Sequence, residues 1–144
     1  MEAATVEAVI VCRDLRKRYD TKKKAVDALN GLDLEVHAGE CFGLLGPNGA
    51  GKTTTVEILE GLLPATSGEA EVLGFRWNGR DDDEIRHRIG ISLQETRLSD
   101  KLTCRETLTL FRSFYRTGRE PDEVIGLVQL EEKANAWVGK LSGG

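Results

Sequence analysis

A glycine-rich stretch, residues 46–53, constrains the fold of this chain more than any other feature. It reads GPNGAGKT and matches the pattern G-x-x-x-x-G-K-[ST] at every fixed position. The apolar run before it, residues 41–45, predicts a buried strand, and residues 54–63 after it predict a helix that ends before Pro64. A strand, a glycine-rich turn and a helix in this order are typical of a phosphate-binding loop.

Each residue type in this loop has a chemical reason to be there. Glycine tolerates the backbone angles that let N–H groups point inward at an anion. The helix that follows adds its unpaired N–H groups and the positive end of its dipole. Lys52 is expected to reach the β- and γ-phosphates of a nucleotide, and Thr53 to ligate Mg²⁺. The predicted binding residues are Gly46, Pro47, Asn48, Gly49, Ala50, Gly51, Lys52, Thr53 and Thr54.

Length and composition fit one ordinary soluble domain. The chain has 144 residues, of which 40% are hydrophobic and 31% are charged. No run approaches the roughly 18 apolar residues of a membrane span, and residues 1–5 lack the features of a signal peptide, so we expect a cytosolic protein. The net charge of −4 disfavours nucleic acid as a partner. Three cysteines without metal-ligand spacing predict free thiols, with Cys41 inside a core strand.

An antiparallel piece is predicted before the loop. Residues 6–11 are apolar and predict a first strand. Leu32, Leu34 and Val36 alternate with polar residues, which predicts a strand with one solvated face. Tyr19 lies between them in a basic segment. It either stacks on a purine or is a strand-edge tyrosine, and the residues alone favour neither interpretation.

Short strands and helices are predicted after the loop. Residues 69–73 predict a strand, and the acidic residues 81–84 are interpreted as the first turn of a helix rather than a metal cluster. Residues 89–93 predict another strand, and Gln94 at its carboxyl end is a candidate ligand for Mg²⁺ or water.

Two helices are predicted near the end of the chain. Residues 103–106 form a capping box, and Pro121 suits the first turn of a second helix. The apolar side chains of the first helix are interpreted as core packing rather than a partner surface; they are Leu108, Leu110, Phe111, Phe114 and Tyr115.

The tetrapeptide LSGG at residues 141–144 completes a set of four features in one order. With it, the chain resembles the nucleotide-binding domain of ATP-binding-cassette (ABC) transporters, of the exporter type paired with drug or polysaccharide permeases. Tyr19 resembles the adenine-stacking aromatic of that family, residues 46–54 its Walker A motif, and Gln94 its Q-loop glutamine. The family's signature motif is matched by Leu141, Ser142, Gly143 and Gly144.

The resemblance implies an α/β P-loop NTPase fold that is incomplete at its C-terminus. It has an N-terminal antiparallel ribbon, a central mostly parallel sheet and a helical subdomain. The implied division is an ATP-binding core at residues 1–95 and a helical subdomain at residues 96–144. The implied cofactors are ATP and Mg²⁺, with Thr53 and Gln94 on the metal.

The implied partners are a second nucleotide-binding domain and a membrane permease. The signature residues would contact the ATP bound by the second domain, and the permease would hold the protein at the cytoplasmic face of the membrane. The complete domain would hydrolyse ATP to power export, with Gln94 sensing the γ-phosphate. The family's Walker B aspartate, catalytic glutamate and switch histidine follow the signature and do not occur here. We therefore expect these residues alone to bind nucleotide weakly, to hydrolyse little or none, and to be poorly stable.

Three other interpretations stay open. One is a non-transport cassette that acts on ribosomes or DNA, which the net charge disfavours. Another is a regulatory module that binds nucleotide without ATPase activity. The third is a different P-loop enzyme such as a small-molecule kinase, against which the LSGG tetrapeptide and the antiparallel opening argue. The transported substrate is not encoded here, because its specificity would lie in the permease.

Overall fold

The computed structural model describes residues 7–20, 24–92 and 98–141. In chain order the elements are β1 (Ala8–Asp20), β2 (Ala25–His37), α1 (Lys52–Leu59), β3 (Ser67–Val72), α2 (Asp82–Arg86), α3 (Cys104–Ser113) and α4 (Pro121–Leu127), followed by short 3₁₀ turns at Glu131–Lys133 and Val138–Lys140. They form two compact units, Met1–Ile85 and Arg86–Gly144. No helix in the described ranges is long and apolar enough to cross a bilayer.

The first unit is built on a three-stranded antiparallel sheet with strand order β2-β1-β3. β1 is the central strand and pairs with β2 along nearly its whole length, so that Cys12 lies opposite Leu34 and Tyr19 opposite Val26. The predicted antiparallel opening is therefore confirmed. Both strands are longer than predicted, because pairing extends them through the basic segment that has no apolar periodicity.

The helix after the glycine-rich loop packs on this sheet. Cys12, Leu15, Leu29 and Ile58 form the buried cluster, and the half-buried side chains around it are Leu32, Leu34, Leu59, Leu63, Ala65 and Ala70. Burial, and then the negative charge of Asp33, raises the pKa of the Cys12 thiol.

α1 is shorter than predicted and ends at Leu59. Gly61, two residues later, takes a left-handed φ of 75°, which stops the helix. The indole nitrogen of Trp77 donates a 3.0 Å hydrogen bond to the Leu59 carbonyl oxygen and so satisfies one of the helix's final acceptors.

Two predicted strands do not form in the described residues. Residues 41–45 have no regular secondary structure; Leu45 is 91% exposed, and Cys41 is an exposed thiol rather than a core side chain. Residues 89–92 also lack strand structure, and Ile91 is 45% exposed. A strand needs a hydrogen-bonded neighbour, and no strand in the described ranges pairs with either segment. An apolar run alone does not supply that neighbour.

The second unit contains α3 and α4. The predicted capping box at the start of α3 is confirmed, because the Thr103 N–H donates to Glu106 Oε2 at 2.8 Å and the Glu106 N–H donates to Thr103 Oγ1 at 3.2 Å. The Glu106 carboxylate also accepts a 2.9 Å hydrogen bond from the Thr103 hydroxyl. The bond from the Thr103 N–H, and then the bond from its hydroxyl, lower the pKa of Glu106.

The interpretation of the apolar side chains along α3 as core is wrong for three of the five, whereas Leu108 and Tyr115 are half-buried. Leu110, Phe111 and Phe114 are 45%, 44% and 53% exposed, and the two phenyl rings meet edge to face with centroids 5.8 Å apart. α3 instead buries Cys104 and Thr107. At α2, Asp82 and its acidic neighbours open a helix as predicted, and no group of metal-ligating residues is found in the part of the chain that is described.

Candidate functional site

A cavity of about 370 Å³ lies in the first unit, where the end of β1, the start of β2 and the glycine-rich loop meet. It is lined by Tyr19, residues 26–28 and residues 48–54. The structure thus brings together an aromatic ring and a phosphate-binding pattern that lie about thirty positions apart in the sequence. The sequence analysis did not predict that residues 26–28 line the site. They do so because the antiparallel register sets Val26 opposite Tyr19.

The backbone of the loop is held against β2 at Gly51. The β1–β2 register shifts between Lys17 and Arg18, so that Ala28 is an extra residue on β2. A Cβ at Gly51 would lie 2.5 Å from the Ala28 carbonyl oxygen, and Gly51 has a φ of 82°. Only glycine fits both the close approach and the left-handed backbone.

The side chain of Lys52 turns back into the glycine-rich loop. Its Nζ donates to the carbonyl oxygens of Gly46 at 2.6 Å and Pro47 at 2.8 Å. Phosphate oxygens carry negative charge and are stronger acceptors than these carbonyls. The ammonium is therefore already placed where an entering phosphate would bind it.

The start of α1 offers further donors. The helix begins at Lys52, and its N-cap residue is Gly51, which has no side chain to accept a hydrogen bond from the first N–H groups. Its first N–H groups point beyond the helix and complement an anion, as does the positive end of the helix dipole. Thr53 is exposed there, where its hydroxyl could ligate a metal ion bound to phosphate.

Thr55 stabilises the loop through hydrogen bonds to Gly51, a role that the sequence analysis did not predict. It is 1% exposed, and its hydroxyl and N–H donate to the Gly51 carbonyl oxygen at 2.9 and 2.8 Å. The signal in the sequence is a third consecutive threonine at a helix position that faces the sheet. Its two bonds fix the turn from which the loop enters α1.

Tyr19 forms the other wall of the cavity. The ring is half-buried, and the ammonium of Lys17 lies 5.2 Å from its centroid. Asp27, which also lines the cavity, pairs with Arg18 at 3.7 Å. An aromatic face at one end and a cradle of donors at the other suit a ligand with a planar base and a chain of phosphates.

The remaining predicted site residues are not tested by this geometry. Gln94, Ser142, Gly143 and Gly144 lie outside the described residues. Leu141 follows the second 3₁₀ turn in the second unit, where its N–H donates to the Val138 carbonyl oxygen at 3.0 Å.

Comparison with known proteins gives one consistent family. A sequence model described as ABC transporter matches residues 29–144. A Nod factor export ATP-binding protein from Burkholderia orbicola (strain AU 1054) is 38% identical over 142 residues, which cover 95% of this chain and 45% of that protein. A daunorubicin resistance ATP-binding protein from Streptomyces coeruleorubidus is 41% identical over 135 residues, which cover 90% of this chain and 40% of that protein. The chain therefore spans less than half the length of these relatives.

Solved structures agree with the sequence comparison. A dimeric ATP-binding cassette in a post-hydrolysis state, bound to ADP and phosphate, superposes with a TM-score of 0.73 at 28% identity, over 93% of this chain and 63% of that one. The ATP-binding subunit of an ABC transporter superposes with a TM-score of 0.78 at 24% identity, which supports the fold alone. These neighbours confirm the predicted α/β P-loop fold class.

Proposed function

Because this chain belongs to the ABC transporter family as a nucleotide-binding domain, we propose that it binds ATP with Mg²⁺. The protein that contains it would hydrolyse ATP to power export through a membrane permease. The observation that carries the proposal is the cavity in which Tyr19 and the glycine-rich loop meet.

The roles of the cavity residues follow from their chemistry. The adenine ring would stack on Tyr19, and the loop N–H groups from Asn48 to Thr54 would bind the phosphates. Lys52 would exchange its two carbonyl acceptors for phosphate oxygens, and the Thr53 hydroxyl would ligate Mg²⁺. Mg²⁺ bound there would neutralise charge on the β- and γ-phosphates.

Hydrolysis needs groups beyond this cavity. We propose that Gln94 contacts the metal and senses the γ-phosphate. Leu141, Ser142, Gly143 and Gly144 would contact the ATP held by a second nucleotide-binding domain. The ADP-bound cassette to which this chain is similar is a dimer, which supports the pairing of two nucleotide-binding domains. The core at residues 1–95 would then bind ATP, and the helical subdomain at residues 96–144 would carry the signature residues.

The proposed contact with the permease is the exposed apolar face of α3, which is formed by Leu110, Phe111 and Phe114. Phe111 lines a groove of about 390 Å³ beside α4, together with Leu108, Tyr115, Pro121 and Val124. Exposed apolar side chains around a groove are typical of a protein interface. Binding there would hold the protein at the cytoplasmic face of the membrane. The names of the two relatives, Nod factor export and daunorubicin resistance, favour export as the direction of transport.

The test is ATP hydrolysis and transport by the protein that contains this chain, reconstituted with its permease. Lys52→Ala should lower hydrolysis by roughly 100-fold or more, because the phosphates lose a preorganised cation. Lys133→Ala, an exposed lysine in a 3₁₀ turn, is the matched control and should leave both rates unchanged. Saturable ATP binding without any hydrolysis in the presence of the permease would instead support a regulatory module.

A further inference from the structure

Lys17 connects two parts of the first unit that the nucleotide site depends on. Its Nζ lies 5.2 Å from the centroid of the Tyr19 ring and donates a 2.7 Å hydrogen bond to the Pro64 carbonyl oxygen. Tyr19 is among the described residues that line the cavity, and Lys17 is not. The ammonium thus contacts the ring although Lys17 does not line the cavity.

The acceptor that holds Lys17 is itself fixed in position. Two residues beyond Pro64, the Thr66 N–H donates to the Arg16 carbonyl oxygen at 2.9 Å, and Thr66 Oγ1 accepts from the Arg18 N–H at 3.0 Å. The segment after α1 therefore lies alongside β1 on both sides of Lys17. A lysine held by a rigid carbonyl has one main position, so it can order the ring that it contacts.

An ordered ring is a better platform for a nucleobase. The negative face of an aromatic ring attracts an ammonium, which restricts the rotation of the tyrosine side chain before ligand arrives. A side chain that is already ordered loses less conformational entropy when a ligand binds, so affinity is higher.

We propose that Lys17 is a positioning residue for the nucleobase: it orients the Tyr19 ring for stacking by anchoring it to the Pro64 carbonyl. This inference rests on the proposed function, because it requires that ATP binds in the cavity. Lys17 itself would not touch the nucleotide. Its effect should therefore be confined to ligands that carry a base and should require Tyr19.

The test is calorimetry on the protein that contains this chain, with two ligands, magnesium-bound ATP and magnesium-bound inorganic tripolyphosphate. Lys17→Met keeps the aliphatic stem and removes the cation, and it should weaken ATP binding about two- to fivefold, because ATP would then have to order the Tyr19 side chain on binding. Tripolyphosphate affinity should not change. Lys17→Arg keeps a cation at this position and should bind ATP about as tightly as the unsubstituted chain. Lys133→Met is the control for loss of one lysine charge and should leave ATP binding unchanged.

Tyr19→Ala provides the second arm of the test. In that background Lys17→Met should have no further effect on ATP affinity, because the ring that it positions is gone. The proposal is overturned if Lys17→Met leaves ATP affinity unchanged, weakens both ligands equally, or acts as strongly without Tyr19. If the unsubstituted chain binds tripolyphosphate and ATP equally well, or neither, the proposed nucleotide site itself fails, which is a distinguishable result.

Discussion

Gly51 shows how closely the phosphate loop depends on the strand beside it. Its backbone is left-handed, and it approaches the carbonyl oxygen of Ala28, which lies at a bulge that sequence periodicity does not reveal. The motif predicts that a glycine is needed at this position, and the structure supplies a second reason, the contact with β2. Thr55 is the reverse case, since its bonds to Gly51 stabilise the loop although the motif does not include it.

We predict that Gly51→Ala destabilises the chain by about 2 kcal/mol or more, because it adds a steric clash to the roughly 1 kcal/mol of a left-handed alanine. Gly39→Ala is the matched control: Gly39 has a φ of 79°, but nothing lies within 4 Å of its Cβ position. It should show the backbone cost alone. Urea unfolding followed by circular dichroism measures both. Equal losses for the two variants would mean that the contact with Ala28 is not important.

Local signals predicted the elements that local interactions stabilise. The capping box at Thr103 and Glu106 and the acidic first turn of α2 involve residues within a few positions of each other, so the sequence alone contains the partners. The buried strands predicted at residues 41–45 and 89–93 depended on neighbours distant in the chain. Hydrophobicity marks such a segment as needing burial but does not provide the strand that would bury it.

We predict that Thr103→Ala destabilises the second unit by about 1 kcal/mol, because an N–H at the start of α3 loses its acceptor. Thr109→Ala on the same helix is the control. Thr109 is exposed, and its hydroxyl donates to the Arg105 carbonyl oxygen of the same helix, so alanine there should be neutral or slightly stabilising. Helix content at 222 nm during denaturant unfolding reports both. A comparable loss for Thr109→Ala would contradict the capping role.

The same capping box predicts a pH dependence. The folded-state pKa of Glu106 is lowered, so its contribution to stability is present above the unfolded pKa of a glutamate, about 4.3, and is lost as pH falls through the folded pKa. The stability difference between the unsubstituted chain and Glu106→Gln should therefore shrink as the pH is lowered below about 4. A difference that grows with acid would show that the carboxylate is not the favoured form.

At the scale of the whole molecule, the two units carry different kinds of surface. The first unit has a cavity lined by the Tyr19 ring and the glycine-rich loop, and the second has an apolar face made of Leu110, Phe111 and Phe114. The family was predictable because four short features occur in one order, and the loop because its motif specifies it. The exposed face was not, since periodicity shows that a helix has an apolar side and does not show whether another molecule covers it.

We predict that the double substitution Phe111→Ser and Phe114→Ser weakens binding to the permease, because it removes an exposed aromatic pair. ATP affinity should stay within about twofold, since these residues do not line the cavity. Copurification with the permease and calorimetry with ATP measure the two quantities. A large fall in ATP affinity would show that the two surfaces are not independent.

Photoaffinity labelling with an azido-ATP tests whether Tyr19 and the glycine-rich loop form one nucleotide site. The reactive base should label the β1–β2 ribbon, at Tyr19 or residues 26–28, and excess ATP or Lys52→Ala should suppress the labelling. Peptide mapping by mass spectrometry locates the label. Labelling confined to residues 98–141, or labelling that excess ATP does not reduce, would contradict the account.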